Sequence, residues 1–155
     1  MKSGKRFEDN FKKSVPEDCF FYRLRDNPAF MGSNLKFTTK NPCDCFIFRK
    51  GNLFLIELKS IKGKCIPLSK IRDNQIKTFS IIQENLITGL IVNFSEEEKT
   101  YFLDGLKVLN FIKNEERKSI PITFFETEGI EIKEKLLRVN KRYDIGSFLK
   151  RYEGE

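Results

Sequence analysis

The chain of 155 residues contains no histidine and no tryptophan. The absence of histidine excludes Ser-His-Asp and Cys-His nucleophilic sites, histidine-ligated zinc, and nucleases that use a histidine base. Any hydrolytic chemistry in this chain must therefore depend on carboxylates, lysine and a metal ion.

Long apolar stretches and a zinc-type cysteine framework are also missing. No apolar run approaches the roughly 20 residues that span a bilayer, and the charged N-terminal stretch MKSGKRFEDNFKKS lacks the apolar segment of a secretory signal. Cys43 and Cys45 are separated by a single residue, which is not the C-x2-C spacing of a zinc site. We expect a cytoplasmic protein without membrane segments, in which these two cysteines are small buried residues.

Apolar content and charge narrow the class of protein. Hydrophobic residues make up 39% of the chain and include sixteen Phe, which is enough for one core in a single domain of residues 1–155. Lys and Arg total 29 against 22 Asp and Glu, which gives a net charge of +7. A basic domain favours a polyanionic partner, most often nucleic acid, and a soluble surface that is merely basic is the alternative.

Hydrophobic periodicity predicts helices alternating with strands. Helices are predicted over residues 4–14, 70–85, 105–115 and 144–152, the second one capped by Ser69 with an apolar face of Ile71, Ile76, Phe79 and Ile82. Strands are predicted over residues 19–24, 43–49, 53–60, 87–94 and 99–103, with two more in 122–132 around a turn at Gly129. The polar stretch 25–42 is predicted to be a loop.

These elements predict an α/β fold with a mixed central sheet flanked by helices. The sequence RKGN, with Gly51 suited to a positive φ, joins strands 43–49 and 53–60 as an antiparallel hairpin. The strand, helix, strand passage from residue 53 to residue 94 predicts a right-handed parallel crossover. The core is predicted to include Phe7, Phe11, Phe20, Phe46, Phe54, Phe79 and Phe94.

Asp44, Glu57 and Lys59 are charged residues within the most apolar strands. Strand alternation places Glu57 and Lys59 on one face and apolar residues on the other, and the hairpin brings Asp44 near Glu57. Two adjacent carboxylates favour a cation between them, and oxygen ligands without His or Cys favour Mg²⁺ or Mn²⁺. The pattern predicts metal-assisted hydrolysis of a phosphodiester, with Lys59 orienting water or stabilising charge on phosphorus; an ordinary cross-strand pair is the alternative.

The stretch from Pro42 to Lys59 resembles the PD-(D/E)xK nuclease superfamily, with Pro42 and Asp44 as the first part of the motif and Glu57-Leu58-Lys59 as the second. Residues 3–125 more narrowly resemble the RecU-type Holliday-junction resolvases of Gram-positive bacteria and their phages. That similarity includes the helix GKRFEDNFKKS, a Thr-Thr pair before the Asp, a Gln in RDNQIKTF and the strand TGLIVNF. The resemblance implies a restriction-endonuclease-like nuclease core.

The resemblance also implies the roles of the site residues. Asp44, Glu57 and the carbonyl of Leu58 would bind Mg²⁺, for which Mn²⁺ would substitute. Lys59 would assist attack by water. Two further catalytic residues are implied: Glu8, which would reach the site from the first helix, and Gln75, which would orient Lys59, a water or a phosphate.

The implied activity is cleavage of four-way or other branched DNA in paired nicks by a homodimer. The DNA backbone would be approached by Lys36, Thr38, Thr39 and Lys40. Strand 19–22 or the C-terminal residues would form the dimer interface, since a C2 dimer matches the near-twofold symmetry of a junction. A protein of this kind would act in the cytoplasm, which is that of the host if the gene belongs to a phage.

The chain departs from the family pattern in three places. Segment 25–42 is shorter than the family's stalk, Asn74 stands where the family tends to have His, and four residues separate the Thr-Thr pair from Asp44. These departures affect selectivity for junctions more than cleavage itself. Two other functions share the same features: branched-DNA binding without cleavage, and a restriction-type nuclease on the same core.

Overall fold

The computed structural model describes residues 2–25 and 40–154. The helices are α1 Ser3–Ser14, α2 Asp73–Phe79, α3 Gly105–Asn114, α4 Ile122–Glu128 and α5 Ile145–Lys150, with a short 3-10 helix over Leu68–Lys70. The strands are β1 Phe20–Arg23, β2 Cys45–Arg49, β3 Asn52–Ile61, β4 Cys65–Pro67, β5 Leu86–Phe94, β6 Lys99–Asp104, β7 Ser119–Pro121, β8 Ile130–Glu131, β9 Glu134–Leu137 and β10 Asn140–Tyr143. The longest helix, α1, has 12 residues, and none in the described ranges has the length and hydropathy of a bilayer-spanning segment.

A mixed sheet of six strands forms the centre of the fold, in the order β1-β2-β3-β5-β6-β8. β3 and β5 pair in parallel, with Glu57 opposite Leu90, whereas the other neighbours in this sheet are antiparallel. The parallel pair confirms the predicted crossover. The turn between β2 and β3 places Lys50 and Gly51 at positive φ, 47° and 83°, as a tight hairpin requires.

Helices cover both faces of this sheet, which confirms the predicted fold class. On one face, α1 and α5 bury their apolar side chains against β2 and β3, in a cluster that includes Phe11, Ile56 and Phe148. On the other face, α2, α3 and α4 cover β5 and β6, in a cluster that includes Phe79 and Leu90. Full burial of each such side chain stabilises the fold by about 1.5–3 kcal/mol.

Strand alternation fixes which face of β3 carries charge. Phe54, Ile56 and Leu58 are buried in the α1 and α5 cluster, whereas Glu57 and Lys59 lie on the opposite face, as predicted. Cys43 and Cys45 are also buried, at 3% and 0% exposure, so the prediction of small buried residues is confirmed for both.

The predicted helix over 70–85 is wrong in its extent. Helix α2 covers only Asp73–Phe79, and Ser69 lies in the preceding 3-10 helix instead of capping it. The chain leaves α2 at Ser80 and turns at Asn85, whose φ is 62°, because its carbonyl must accept the N–H of Leu53. Ile82, placed on the apolar helix face by its spacing, is 75% exposed.

Two other sequence predictions are wrong. The stretch from Ile122 to Glu128 forms helix α4 and not a strand, because Ile122 and Phe125, three residues apart, are buried in one cluster. Phe20, predicted to lie in the core, is 58% exposed, because edge strand β1 has a helix on one face only. Phe46 is half-buried, and the other predicted core Phe side chains are buried.

Two small strand pairs lie outside the central sheet and were not predicted. β4 pairs with β7, and β9 pairs with β10 in a hairpin that packs beside α1. The hairpin is fixed to α1 by the hydroxyl of Ser14, which accepts the N–H of Tyr143 at 3.0 Å. The C-terminal residues therefore add a hairpin that packs beside α1 and also supply α5 to the core.

Gly89→Ala is expected to destabilise the protein by about 1–3 kcal/mol, the usual cost of overpacking a core. A Cβ at this position would lie 2.2 Å from the ring of Phe102 and 2.7 Å from the carbonyl oxygen of Leu103. Urea unfolding measures the change, with Gly63→Ala as the matched control because a Cβ there has nothing within 4 Å. Equal stability of the two variants would contradict the close packing of β5 on β6.

Candidate active site

Backbone contacts hold Asp44 at the end of the β2–β3 ladder, opposite Glu57. The N–H of Asp44 donates to the carbonyl of Ile56 at 3.1 Å, and its own carbonyl accepts the N–H of Leu24 at 2.8 Å. Its carboxylate oxygen Oδ2 accepts the N–H of Leu58 at 2.8 Å. The structure thus brings the two predicted carboxylates together across neighbouring strands.

Glu57 is a buried acid, 3% exposed, with two donors on one carboxylate oxygen. Lys59 Nζ lies 3.0 Å from Oε1, and the side-chain amide of Gln75 donates to the same oxygen at 2.5 Å. The other end of the Gln75 amide accepts the N–H of Arg72 at 2.8 Å, which fixes its orientation. Burial, and secondarily the charge of Asp44, raise the pKa of Glu57 to about 7 against the opposing effect of Lys59.

Helix α2 also holds the segment that leads into Asp44. Asn74 Nδ2 donates to the carbonyl of Asn41 at 2.6 Å, and Thr78 Oγ1 donates to the carbonyl of Pro42 at 2.8 Å. One short helix therefore positions both carboxylates, one through Gln75 and the other through the backbone before it. Asn74, which departs from the family's His, has a structural contact of its own here.

Arg23 links Glu8 to the site, and sequence reasoning missed it. Its guanidinium lies 2.7 Å from Glu8 Oε2 and 3.7 Å from Asp44 Oδ1. It also donates to the carbonyls of Asp44 and Leu24, at 2.9 and 2.7 Å. Glu8 thus reaches Asp44 through an arginine at the end of β1. A lone Arg at a strand end carries no motif, so its position beside the Asp-bearing strand was the only available signal.

The remaining predicted residues are placed as follows. Lys40 is exposed and lies just before the segment held by α2. The other three candidate DNA contacts, Lys36, Thr38 and Thr39, lie outside the described residues. The Leu58 carbonyl points to the same strand edge as the Leu58 N–H, which donates to Asp44.

The donor set fits a hard divalent cation. Asp44 Oδ1, the Glu57 carboxylate and the Leu58 carbonyl would supply oxygen. Only two of these ligands are acids, and no group of three or more His, Cys, Asp or Glu that could hold a metal ion occurs in residues 2–25 and 40–154. Mg²⁺ is typically held by one or two carboxylates, with water and substrate phosphate completing its shell. A structural zinc ion would require nitrogen or sulfur ligands that are absent from this group.

Gln75→Met is expected to lower the free energy of unfolding by about 1.5–3 kcal/mol, the usual worth of a hydrogen bond to a charged group. The substitution keeps the length of the side chain and removes the donor to Glu57. Urea unfolding at pH 8, above the pKa of about 7 for Glu57, measures the effect. Gln83→Met is the matched control because Gln83 is exposed; equal stability of the two variants would mean that the amide does not stabilise the carboxylate.

The sequence matches a family model and two known proteins. The model of the family described as Recombination protein U (RecU) matches residues 23–142. The SPbeta prophage-derived uncharacterized protein YotM of Bacillus subtilis is 39% identical over an alignment of 159 positions, which covers 90% of this chain and 81% of YotM. The Holliday junction resolvase RecU of Ureaplasma parvum is 26% identical over 108 residues, which cover 69% of this chain and 62% of that protein.

The fold also matches a solved nuclease structure. The Holliday junction resolvase Hjc of Archaeoglobus fulgidus superposes with a TM-score of 0.55 at 11% identity, over 82% of this chain and 93% of Hjc. At that identity the match describes the fold alone. Because the family model spans most of the sequence and includes Asp44, Glu57, Lys59 and Gln75, this chain belongs to the RecU family.

Proposed function

We propose that this protein is a metal-dependent, structure-selective endonuclease that resolves four-way DNA junctions. The observation that carries the proposal is the buried carboxylate of Glu57, with Asp44 opposite it and Lys59 at 3.0 Å. A protein that only binds DNA gains nothing from paired acids near phosphates, because they repel the polyanion. Membership of the RecU family supports the same reading.

Mg²⁺ is the proposed cofactor, with Mn²⁺ as a substitute. Asp44, Glu57 and the Leu58 carbonyl would hold it, and the bound ion would polarise a phosphate oxygen and lower the pKa of a bound water. Because Asp44 Oδ2 accepts the N–H of Leu58, Oδ1 is the carboxylate oxygen left to bind the metal ion. The raised pKa of Glu57 supports the choice, since a dication would relieve the repulsion between the two carboxylates.

The side chains around the carboxylates have separate proposed roles. Lys59, with 20% of its side chain exposed, can donate to the attacking water or to a phosphate oxygen that gains negative charge. Gln75 orients Glu57, and through it Lys59. Glu8 and Arg23 form an ion pair at 2.7 Å that holds the Asp44 backbone and presents a guanidinium to the substrate side of the site.

Branched DNA is the proposed substrate. The relative named as a Holliday junction resolvase, from Ureaplasma parvum, supports a four-way junction. The net charge of +7 suits a polyanion, and Lys36, Thr38, Thr39 and Lys40 are the proposed contacts to its backbone. Such a substrate implies a cytoplasmic protein, and the similarity to a prophage protein supports a phage origin.

Paired nicks need two active sites, and the face beside the site supports a homodimer. Phe20, Tyr22 and Phe48 are 58%, 51% and 47% exposed, and Phe46 stacks on the first two at 6.0 and 5.4 Å. Because side chains alternate, Asp44 lies on the same face of the sheet as Phe46 and Phe48. An exposed aromatic patch on an edge strand is typical of an association surface.

The decisive test is cleavage of labelled four-way junction, Y-fork and linear duplex with Mg²⁺, Mn²⁺ or EDTA. We expect symmetric paired nicks in the junction with either metal and none in EDTA. Asp44→Asn and Lys59→Ala should each lower the rate by about 100-fold or more, whereas Arg23→Gln should lower it by about 10–100-fold because Glu8 and Asp44 lose their common partner.

Two exposed substitutions, Glu96→Gln and Lys113→Ala, serve as charge-matched controls that should leave the rate unchanged. Tight junction binding without cleavage in any metal would overturn the enzyme and leave a DNA-binding protein. Efficient cutting of linear duplex at one sequence would instead favour a restriction-type nuclease.

The double substitution Phe20→Ser, Tyr22→Ser is expected to raise the dimer dissociation constant by at least about tenfold, because it removes two aromatic side chains from the proposed interface. Sedimentation velocity over a range of concentrations measures the change, and cleavage should shift from paired to single nicks. Ile82→Ser, at an apolar residue that is 75% exposed elsewhere, is the control. A monomer that still makes paired nicks would contradict the proposed interface.

A further inference from the structure

The hairpin formed by β9 and β10 carries a concentration of positive charge outside the active site. Four basic residues, Lys135, Arg138, Lys141 and Arg142, accompany a single acid, Glu134. That acid is already engaged by Lys141, whose Nζ lies 2.8 Å from its Oε1. The hairpin is therefore left with uncompensated positive charge.

Like charges oppose each other directly across this hairpin. Lys135 is the Cα partner of Arg142, and the alternation of both strands puts the two side chains on the same face. Directly opposed like charges destabilise a strand pair. Within the described residues, neither side chain takes part in an ion pair, nor does that of Arg138.

Some other basic side chains of this protein are paired with neighbouring acids. Arg49 pairs with Asp18 and Glu153 at 3.1 Å each, and Lys99 pairs with Glu131 at 3.2 Å. The unpaired cations of the hairpin thus differ from these compensated ones. The hairpin turn adds to the contrast, because Arg138 has a φ of 34°, a conformation that glycine or asparagine adopts at lower cost.

Helix α1 connects the hairpin to the active site. The guanidinium of Arg6 donates to the carbonyl of Val139 in the hairpin turn, and Glu8, two residues along α1, pairs with Arg23 in the site. Two residues correspond to about 3 Å of helix rise and about 200° of rotation, so the hairpin and Arg23 contact nearly opposite sides of α1, which is about 10–12 Å wide with its side chains. A duplex arm that leaves the site at Asp44 and Glu57 would have to extend past α1 to reach the hairpin.

We propose that the hairpin binds the sugar-phosphate backbone of a duplex arm of the DNA substrate, through Lys135, Arg138 and Arg142. The inference rests on the proposed function for the choice of DNA as the ligand. Duplex DNA carries one negative charge per about 1.7 Å of axis, so an arm beside the hairpin presents several phosphates at once. The contacts are to phosphate oxygens, and binding through them is independent of base sequence.

The test is binding of a fluorescent four-way junction to the double variant Lys135→Gln, Arg142→Gln in EDTA, with anisotropy measured over a range of salt concentrations. The logarithm of the binding constant falls linearly with the logarithm of the salt concentration, and each lost phosphate contact makes this slope less steep by about 0.9. We expect the slope to become less steep by about 2 and the affinity to fall by about tenfold or more. The control Lys113→Gln, Arg117→Gln removes the same charge from exposed positions, one in the last turn of α3 and one just after it, and should have little effect.

A second variant separates binding from folding. Lys135→Glu places an acid opposite Arg142, so its melting temperature should equal or exceed that of the wild type while its affinity for the junction falls. An unchanged salt slope in the double variant, or an equal loss in the control, would overturn the proposal. So would a lower melting temperature of Lys135→Glu with unchanged affinity, because that result describes a structural residue.

Failure of the proposed function gives a different result. Because binding is measured without a metal, the hairpin effect is independent of cleavage. If the wild-type protein cuts no junction and the double variant still binds the junction more weakly than the wild type, the proposed endonuclease is wrong and the hairpin remains a DNA contact. Normal cleavage by the wild type, with unchanged affinity in the double variant, would support the endonuclease and overturn the hairpin as a DNA contact.

Discussion

The burial of a single charge, that of Glu57, dictates how the centre of this protein is built. Removing a carboxylate from water costs several kcal/mol unless donors replace the lost solvent. Lys59 supplies one donor from the same strand face, and Gln75 supplies the other from α2. Helix α2 must therefore lie close enough to β3 for Gln75 to reach Glu57, and Phe79 at its end is 1% exposed in the core beneath it. The small helix is thus an integral part of the site.

Strand periodicity was sufficient to predict the part of the site that lies on the sheet. The alternation of β3 places Glu57 and Lys59 on one face, and the tight turn at Lys50 and Gly51 sets the register that brings Asp44 opposite Glu57. Both features depend on residues that are close in sequence and on a short loop, so the sequence alone is enough to predict them. The parallel pairing of β3 with β5 follows equally from the strand, helix, strand order between residues 53 and 94.

The features that were missed depend on contacts between distant residues. Helix α2 is shorter than its apolar spacing indicates because Asn85 must pair with Leu53 in the sheet. The residues from Ile122 to Glu128 favour a strand by composition, yet burial of Ile122 and Phe125 in one cluster selects a helix. Arg23 has no motif, since its partners come from α1 and from the start of β2. In each case tertiary packing overrides the local preference.

Two hydrogen bonds hold together the chain segments that meet beside Asp44. The side-chain amide of Asn41 donates to the carbonyl of Arg25 at 2.8 Å, and the N–H of Leu24 donates to Asp44. Arg25 and Asn41, which lie on either side of residues outside the described ranges, are therefore held together beside Asp44. Doubling the length of such a segment costs only about 0.6 kcal/mol in closure entropy. The number of residues between these two anchors can therefore change at little cost in free energy without moving the carboxylates of Asp44 and Glu57.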